Sequence, residues 1–163
     1  MHRFDVRVRY ADTDQMGWAY YGQYLRWFEI GRAEMMRTLG RSYAQVERED
    51  GVLLPVLDAR CRYFHGARYD ERITIETGVL EQGRATIRFG YRVLGEDGTR
   101  CAIGYTEHCV VTPDARPVRP PEALAALLTR APRADAELLA EFSRRARTPC
   151  GPACPCSAAL PAR

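Results

Sequence analysis

The spacing of apolar residues changes once near the N-terminus, and this change limits the fold more than any other feature of the chain. In residues 4–10 apolar side chains alternate with polar ones, which predicts a strand with one solvent-exposed face. In residues 21–39 they recur at helical spacing, which predicts one long helix. The loop between them, residues 11–17, has the sequence ADTDQMG. It places two carboxylates, Asp12 and Asp14, ahead of the helix.

Strand patterns dominate the rest of the chain. The sequence SYAQ, residues 42–45, is a capping-box pattern that predicts a short second helix. Four further strands are predicted at about 53–64, 72–80, 84–94 and 101–112. Tight turn sequences join the last three strands, and we interpret all four as an antiparallel meander. The predicted class is therefore α+β, with a curved antiparallel sheet wrapped around one long central helix.

The chain has 163 residues, which predicts a single main domain. We expect this domain to span residues 1–132, followed by a C-terminal helical extension at 133–147 and a disordered, Pro- and Cys-rich tail at 148–163. Three cysteines of the tail are closely spaced, but the surrounding prolines and the missing fourth ligand argue against a zinc site. No metal is expected.

Composition excludes several functions. The formal net charge of +3 does not favour nucleic-acid binding, and no apolar run is long enough for a signal sequence or a membrane span. The chain contains no Lys, so a Walker-type phosphate loop is excluded and Arg or backbone amides must hold any phosphate group. These observations favour a cytoplasmic protein whose cysteines are free thiols.

Residues 10–32, YADTDQMGWAYYGQYLRWFEIGR, resemble the signature segment of hotdog-fold thioesterases of the 4-hydroxybenzoyl-CoA thioesterase and YbgC type. The order of predicted elements agrees with that family over about the first 115 residues. The resemblance implies a hotdog fold and hydrolysis of acyl-CoA or aroyl-CoA thioesters to acid and CoA. It also implies that no cofactor is needed beyond the CoA of the substrate, and that the protein is a homodimer or homotetramer with sites at subunit interfaces.

The resemblance also assigns two catalytic groups. In the family the second Asp of the segment is the catalytic carboxylate, and the match places it on Asp14. The backbone N–H seven positions later polarises the thioester carbonyl, and the match places it on Tyr21. Physical chemistry agrees, because this reaction needs an oxyanion donor and a group that attacks or activates water. A helix N-terminus offers unpaired N–H groups, and Asp14 can act as nucleophile or as general base.

Four further residues are candidates for substrate binding: Gly17, Tyr20, Trp27 and Glu29. Gly17 lets the loop turn sharply and lets substrate approach the backbone. The resemblance to 4-hydroxybenzoyl-CoA thioesterase places Glu29 at an acidic position near the acyl pocket of that enzyme. Its spacing from Arg32 also suits an intrahelical ion pair. Tyr20 and Trp27 can line an aryl pocket or simply pack, Trp27 in the core or a dimer interface. For Asp12 we expect only a capping or turn-forming role.

Two other functions stay open. The first is the same hydrolysis acting on acyl-carrier-protein thioesters, and the second is non-catalytic binding of acyl thioesters, because fold does not imply function. Candidates for holding the CoA phosphates are Arg60, Arg62, Arg84 and Arg88. A sheet of this size with one helix leaves an edge and part of a face uncovered, which favours a dimer.

Overall fold

The computed structural model describes residues 1–135 and 137–143. Its strands are β1 (His2–Arg7), β2 (Val56–Tyr63), β3 (Arg72–Gln82), β4 (Thr86–Leu94) and β5 (Arg100–Cys109). Its helices are α1 (Gln23–Thr38), α2 (Tyr43–Gln45), α3 (Glu122–Arg130) and α4 (Glu137–Ser143). The end of the predicted helical extension, 144–147, and the predicted disordered tail, 148–163, lie outside the described residues.

Local sequence signals explain where several elements begin and end. Ser42 Oγ accepts the Gln45 N–H at 3.2 Å, which confirms the predicted capping box. The first strand ends earlier than predicted, at Arg7, because the chain enters a 3-10 turn at Tyr10–Asp12. The side chain of Tyr10 consequently leaves the apolar face of the strand and is 81% exposed.

The five strands form one antiparallel sheet in the order β1-β3-β4-β5-β2. Strands β3, β4 and β5 make the predicted meander. The prediction was wrong for β2, which pairs with β5 and not with β3. The segment 64–71 between β2 and β3 is too long for a tight hairpin, and it carries the chain from one edge of the sheet towards the other. Strands β1 and β2 are therefore the two edges.

Helix α1 lies across the sheet and contacts all five strands. Gly31 is the point of closest approach: a Cβ there would lie 2.6 Å from Ile75 Cγ2 and 2.5 Å from Thr77 Oγ1. The absence of a side chain at Gly31 thus lets the helix backbone approach the sheet closely. On the same face of the helix, the ring of Phe28 is stacked on Tyr91 with ring centroids 4.4 Å apart. Burial of this face holds the helix in the curve of the sheet.

The C-terminal segment covers part of the opposite face of the sheet. Val79 N–H donates to the Pro132 carbonyl at 2.9 Å, and Ala134 N–H donates to the Val79 carbonyl at 3.0 Å. The backbone can approach β3 this closely because Gly78 has no side chain, and a Cβ there would lie 2.6 Å from Ala134 N. Leu138 of α4 is buried on the same face.

A buried polar cluster lies between α1 and β5. Arg32 Nη1 lies 2.7 Å from His108 Nε2 and 3.4 Å from Thr106 Oγ1. A guanidinium only donates, so His108 accepts at Nε2 and carries its proton on Nδ1, which donates to the Leu54 carbonyl at 2.9 Å. Burial, followed by the nearby charge of Arg32, lowers the pKa of His108 to about 4. His108 is therefore neutral in the folded protein at neutral pH.

We expect the free energy of unfolding to decrease as the pH falls from about 6.5 towards 4. The ordinary pKa of His108 is 6.5 and its pKa in the folded protein is about 4. Between these values the unfolded chain takes up a proton that the folded protein does not, so acid favours unfolding. The loss levels off near pH 4, where folded His108 is protonated too. Urea unfolding at a series of pH values measures it; an equal slope in His108→Gln would contradict the assignment.

Candidate active site

Residues 13–19 form a tight loop between β1 and α1. Thr13 and Ala19 make an antiparallel bridge, and Asp14 N–H donates to the Trp18 carbonyl at 2.9 Å. Gly17 has a φ of +76°, in the left-handed region that favours glycine, and its N–H donates to the Asp14 carbonyl at 3.0 Å. The sharp turn predicted at Gly17 is present. The N–H and the carbonyl of Asp14 are therefore both hydrogen-bonded within the loop, which holds this residue in one place.

The two carboxylates of the loop have different environments. Asp12 is 8% exposed, its Oδ2 accepts the Arg9 N–H at 2.8 Å, and its carbonyl accepts the Tyr20 N–H at 2.8 Å. Asp12 thus has the capping role predicted for it. Asp14 is half-buried, and its Oδ1 accepts the Met16 N–H at 2.8 Å. In the described part of the chain Asp14 Oδ2 has no hydrogen-bond partner, so this oxygen is available for chemistry.

The segment before α1 presents an unpaired amide. Helix α1 begins at Gln23, whose N–H donates to the Tyr20 carbonyl at 2.8 Å. In a trans peptide the N–H points opposite to the carbonyl, so the Tyr21 N–H points away from the helix. Among the described residues this N–H has no hydrogen-bond partner. A group placed beyond the N-terminus of α1 can accept a hydrogen bond from it and also meets the positive end of the helix dipole.

Exposed aromatic side chains surround this amide. The rings of Tyr20 and Tyr21 are 48% and 64% exposed, and their centroids lie 4.4 Å apart. A Cβ on Gly22 would lie 2.9 Å from Tyr20 Cε1, so the ring of Tyr20 lies directly over this glycine. Tyr63, at the end of β2, is 44% exposed, and its hydroxyl contacts the Tyr21 carbonyl. The free amide of Tyr21 therefore lies among exposed aromatic rings.

Trp27 and Glu29, the other two candidates for substrate binding, do not lie among these exposed rings. Trp27 is 1% exposed and packs edge-on against Tyr24, with ring centroids 4.7 Å apart. It fills the core, and the structure offers it no contact with a molecule outside the chain. Glu29 is exposed, and its suggested ion pair with Arg32 is not formed, because Arg32 turns inward to His108. The Glu29 carboxylate therefore remains open to solvent.

Three of the four arginines considered for CoA phosphates are engaged in ion pairs on the sheet face opposite α1. Arg60 lies 3.6 Å from Asp58, Arg62 lies 3.4 Å from Glu141, and the guanidinium of Arg88 lies within 2.7 Å of both Glu81 and Glu107. These carboxylates already balance the positive charge. Arg84 is exposed at the turn between β3 and β4, and no ion pair forms to it within the described residues.

One arginine beside the loop could not be identified from the sequence. The guanidinium carbon of Arg68 lies 3.9 Å from the ring centroid of Trp18, the residue that follows Gly17. Gly66 makes this arrangement possible, because a Cβ there would lie 2.5 Å from the Trp18 ring. No short-range signal links residues 18 and 68, since the contact depends on how the connection between β2 and β3 folds back on the loop. Arg68 is the basic side chain that borders the Asp14 loop through Trp18.

Residues 1–135 and 137–143 contain no group of three or more His, Cys, Asp and Glu side chains arranged to hold a metal ion. The closely spaced Cys150, Cys154 and Cys156 lie outside this part of the chain. None of the helices that the structure describes has both the length and the apolar character that crossing a bilayer requires.

Comparisons with known proteins show the family of this chain. Residues 8–128 match the thioesterase-like superfamily. YneP of Bacillus subtilis is 32% identical over 116 residues, which cover 71% of this chain and 83% of YneP. The acyl-CoA thioesterase YbgC of Haemophilus influenzae is 36% identical over 91 residues, which cover 56% of this chain and 67% of YbgC.

A solved structure extends the comparison to the fold. The DHNA-CoA thioesterase from Staphylococcus aureus has a TM-score of 0.74 and 27% sequence identity, covering 88% of this chain and 95% of that chain. The predicted hotdog fold, a curved antiparallel sheet around one long helix, is confirmed. The chain belongs to the thioesterase-like superfamily, as a hotdog-fold member of the YbgC type.

Proposed function

We propose that this protein is an acyl-CoA thioesterase that hydrolyses acyl-CoA or aroyl-CoA thioesters to free acid and CoA. The proposal rests on two groups that have no hydrogen-bond partner among the described residues and that belong to residues seven positions apart, one in the loop and one where the chain enters α1. One is the Oδ2 oxygen of Asp14 and the other is the N–H of Tyr21. The names of the relatives support the same reaction, since YbgC of Haemophilus influenzae is an acyl-CoA thioesterase.

In the proposed mechanism the Tyr21 N–H donates to the thioester oxygen as negative charge develops on it. If Asp14 acts as general base, it takes a proton from water while the water oxygen attacks the carbonyl carbon. The tetrahedral intermediate then expels the CoA thiolate, which receives that proton. If Asp14 acts as nucleophile, it forms a mixed anhydride and releases CoA, and water then opens the anhydride. Both routes consume one water and restore the Asp14 carboxylate.

The same proposal assigns roles around these two groups. Gly17 keeps the loop free of a side chain where substrate approaches, and Tyr20 borders the acyl group beside the free amide. The exposed carboxylate of Glu29 is available to a distal part of the substrate. Neither route needs a metal or a cofactor. Free thiols at Cys61, Cys101 and Cys109 among the described residues fit the reducing environment of the cytoplasm, where we place the enzyme.

A thiol-release assay over a panel of acyl-CoA and aroyl-CoA substrates tests this function. The same acyl groups attached to acyl carrier protein provide the matched comparison. We expect release of CoA thiol at a rate well above the uncatalysed one, with a clear preference for at least one acyl group. Turnover of carrier-bound substrates alone would replace this proposal with the carrier-protein thioesterase. Tight binding of acyl-CoA without any thiol release would replace it with a binding protein.

We also infer that the working enzyme is at least a dimer. Edge strand β2 carries Val56 and Leu57, which are 55% and 59% exposed, and the backbone on its outer side lacks a paired strand within the described chain. Long exposed apolar edges are uncommon in monomeric proteins, and a second copy can cover this one. Tyr63 at the other end of this strand contacts the Tyr21 carbonyl, so a partner that pairs along the whole of β2 would lie beside the free amide.

We expect Leu57→Asp to convert the enzyme to a monomer with much lower activity, because it places a charge in the proposed interface. Light scattering and thiol release on the same samples measure both effects. Ala126→Asp is the matched control, since Ala126 is exposed on α3, and it should change neither quantity. A wild-type monomer with full activity would contradict the dimer.

A further inference from the structure

Tyr63 links β2 to the segment that precedes α1. Its hydroxyl lies 3.0 Å from the Tyr21 carbonyl. Burial is the main cause that raises the pKa of Tyr63 above its usual value, so the hydroxyl keeps its proton and donates it to this carbonyl. The ring of Tyr63 packs edge-on against buried Tyr24, with centroids 5.1 Å apart. The Tyr24 hydroxyl in turn accepts the Ala67 N–H at 3.2 Å. The donor is therefore held by packed neighbours.

This hydrogen bond fixes the peptide between Tyr21 and Gly22. The preceding peptide is fixed independently, because the Tyr20 carbonyl accepts the Gln23 N–H. The backbone of Tyr21 is thus held on both sides, and its N–H cannot swing without loss of one of these bonds. The Gly22 N–H belongs to the peptide that Tyr63 holds, and in a trans peptide it points away from Tyr63. It too has no partner among the described residues.

We propose that Tyr63 is a positioning residue for the oxyanion site. Its hydroxyl holds the Tyr21–Gly22 peptide so that the N–H groups of Tyr21 and Gly22 are presented together to the thioester oxygen. This inference rests on the proposed thioesterase function. Tyr63 acts through the backbone and does not touch the reacting atoms. The benefit is preorganisation, because a donor fixed in advance stabilises the transition state without reorganising during the reaction.

Tyr63→Phe tests this role, since it keeps the ring packing and removes only the hydroxyl. We expect kcat to fall about 10-fold, the order expected for one hydrogen bond, with KM changed less than about 2-fold. Melting temperature and oligomeric state should stay near those of the wild type. Tyr105→Phe is the matched control: its hydroxyl donates to Asp58 at 2.7 Å on the opposite sheet face, and its loss should leave kcat unchanged.

A double-variant cycle separates positioning from a general structural effect. Gly22→Pro removes the N–H of the peptide that Tyr63 holds, and the φ of −67° at Gly22 suits proline. If Tyr63 acts through this peptide, then in a Gly22→Pro background Tyr63→Phe should lower kcat further by less than about 2-fold. Full multiplication of the two effects would overturn the inference, as would a Tyr63→Phe variant with wild-type kcat or with a change in KM alone. Each of these outcomes would overturn only the positioning role of Tyr63 and would leave the proposed thioesterase function unaffected. A wild-type protein that releases no thiol from any acyl-CoA would overturn both.

Discussion

Replacement of Asp14 by Asn is expected to lower kcat by at least about 100-fold while the protein remains folded. The amide keeps the size of the carboxylate, and its oxygen can still accept the Met16 N–H that now bonds to Asp14 Oδ1. What it loses is the charged oxygen that attacks the thioester or takes a proton from water. Thiol release under substrate saturation measures the effect, and circular dichroism with thermal unfolding checks the fold.

Asp12→Asn is the matched control. Its carboxylate accepts the Arg9 N–H and is 8% exposed, and an Asn oxygen can accept the same hydrogen bond. We expect a modest loss of stability and turnover within a few-fold of the wild type. Near-normal activity of Asp14→Asn, or equal losses in the two variants, would remove Asp14 from the chemical step.

The second large effect is expected for Tyr21→Pro. Proline removes the unpaired N–H that points away from α1, and this position precedes the first helical residue, Gln23, so no helical hydrogen bond is lost. Loss of one oxyanion donor typically lowers turnover by about 10²–10³-fold. The variant should fold, bind a non-hydrolysable thioester analogue with little change in affinity, and hydrolyse substrate slowly.

Tyr21→Phe separates the amide from the phenol. It keeps the N–H and removes only the hydroxyl of a ring that is 64% exposed, so it should retain most of the activity. A loss in Tyr21→Phe as large as that in Asp14→Asn would make the phenol the working group. The oxyanion donor would then have to be sought among other groups near the loop.

The sequence predicted those parts of the fold that depend on local periodicity. Helix α1 and the β3-β4-β5 meander follow from spacing and turn residues that lie close together in the chain. The place of β2 depends on pairing with a strand far away in sequence, and alternation within a strand does not encode its neighbour. Gly31 destabilises an isolated helix, but in the folded chain it allows the close contact of α1 with Ile75 and Thr77.

In the candidate site, too, the residues close together in sequence were predicted and the contacts between distant residues were not. The loop with Asp14, and the segment leading into α1 with Tyr21, lie close in sequence and were recognised from one motif. Spacing alone placed Glu29 beside Arg32, yet Arg32 has its partner on β5, 76 residues further along the chain. Tyr63 and Arg68 reach the site from β2 and the connection that follows it. Their contacts exist only in the folded chain, so no local pattern could predict them.

Hydrolysis by the full chain is tested most directly by following both products of one acyl-CoA substrate. CoA thiol is trapped with a thiol reagent, and the free acid is quantified by mass spectrometry in the same reaction. We expect one thiol and one acid for each thioester consumed, at a rate that depends on Asp14. Consumption of thioester without free acid, or the same rate for Asp14→Asn as for the wild type, would contradict hydrolysis by the Asp14 carboxylate.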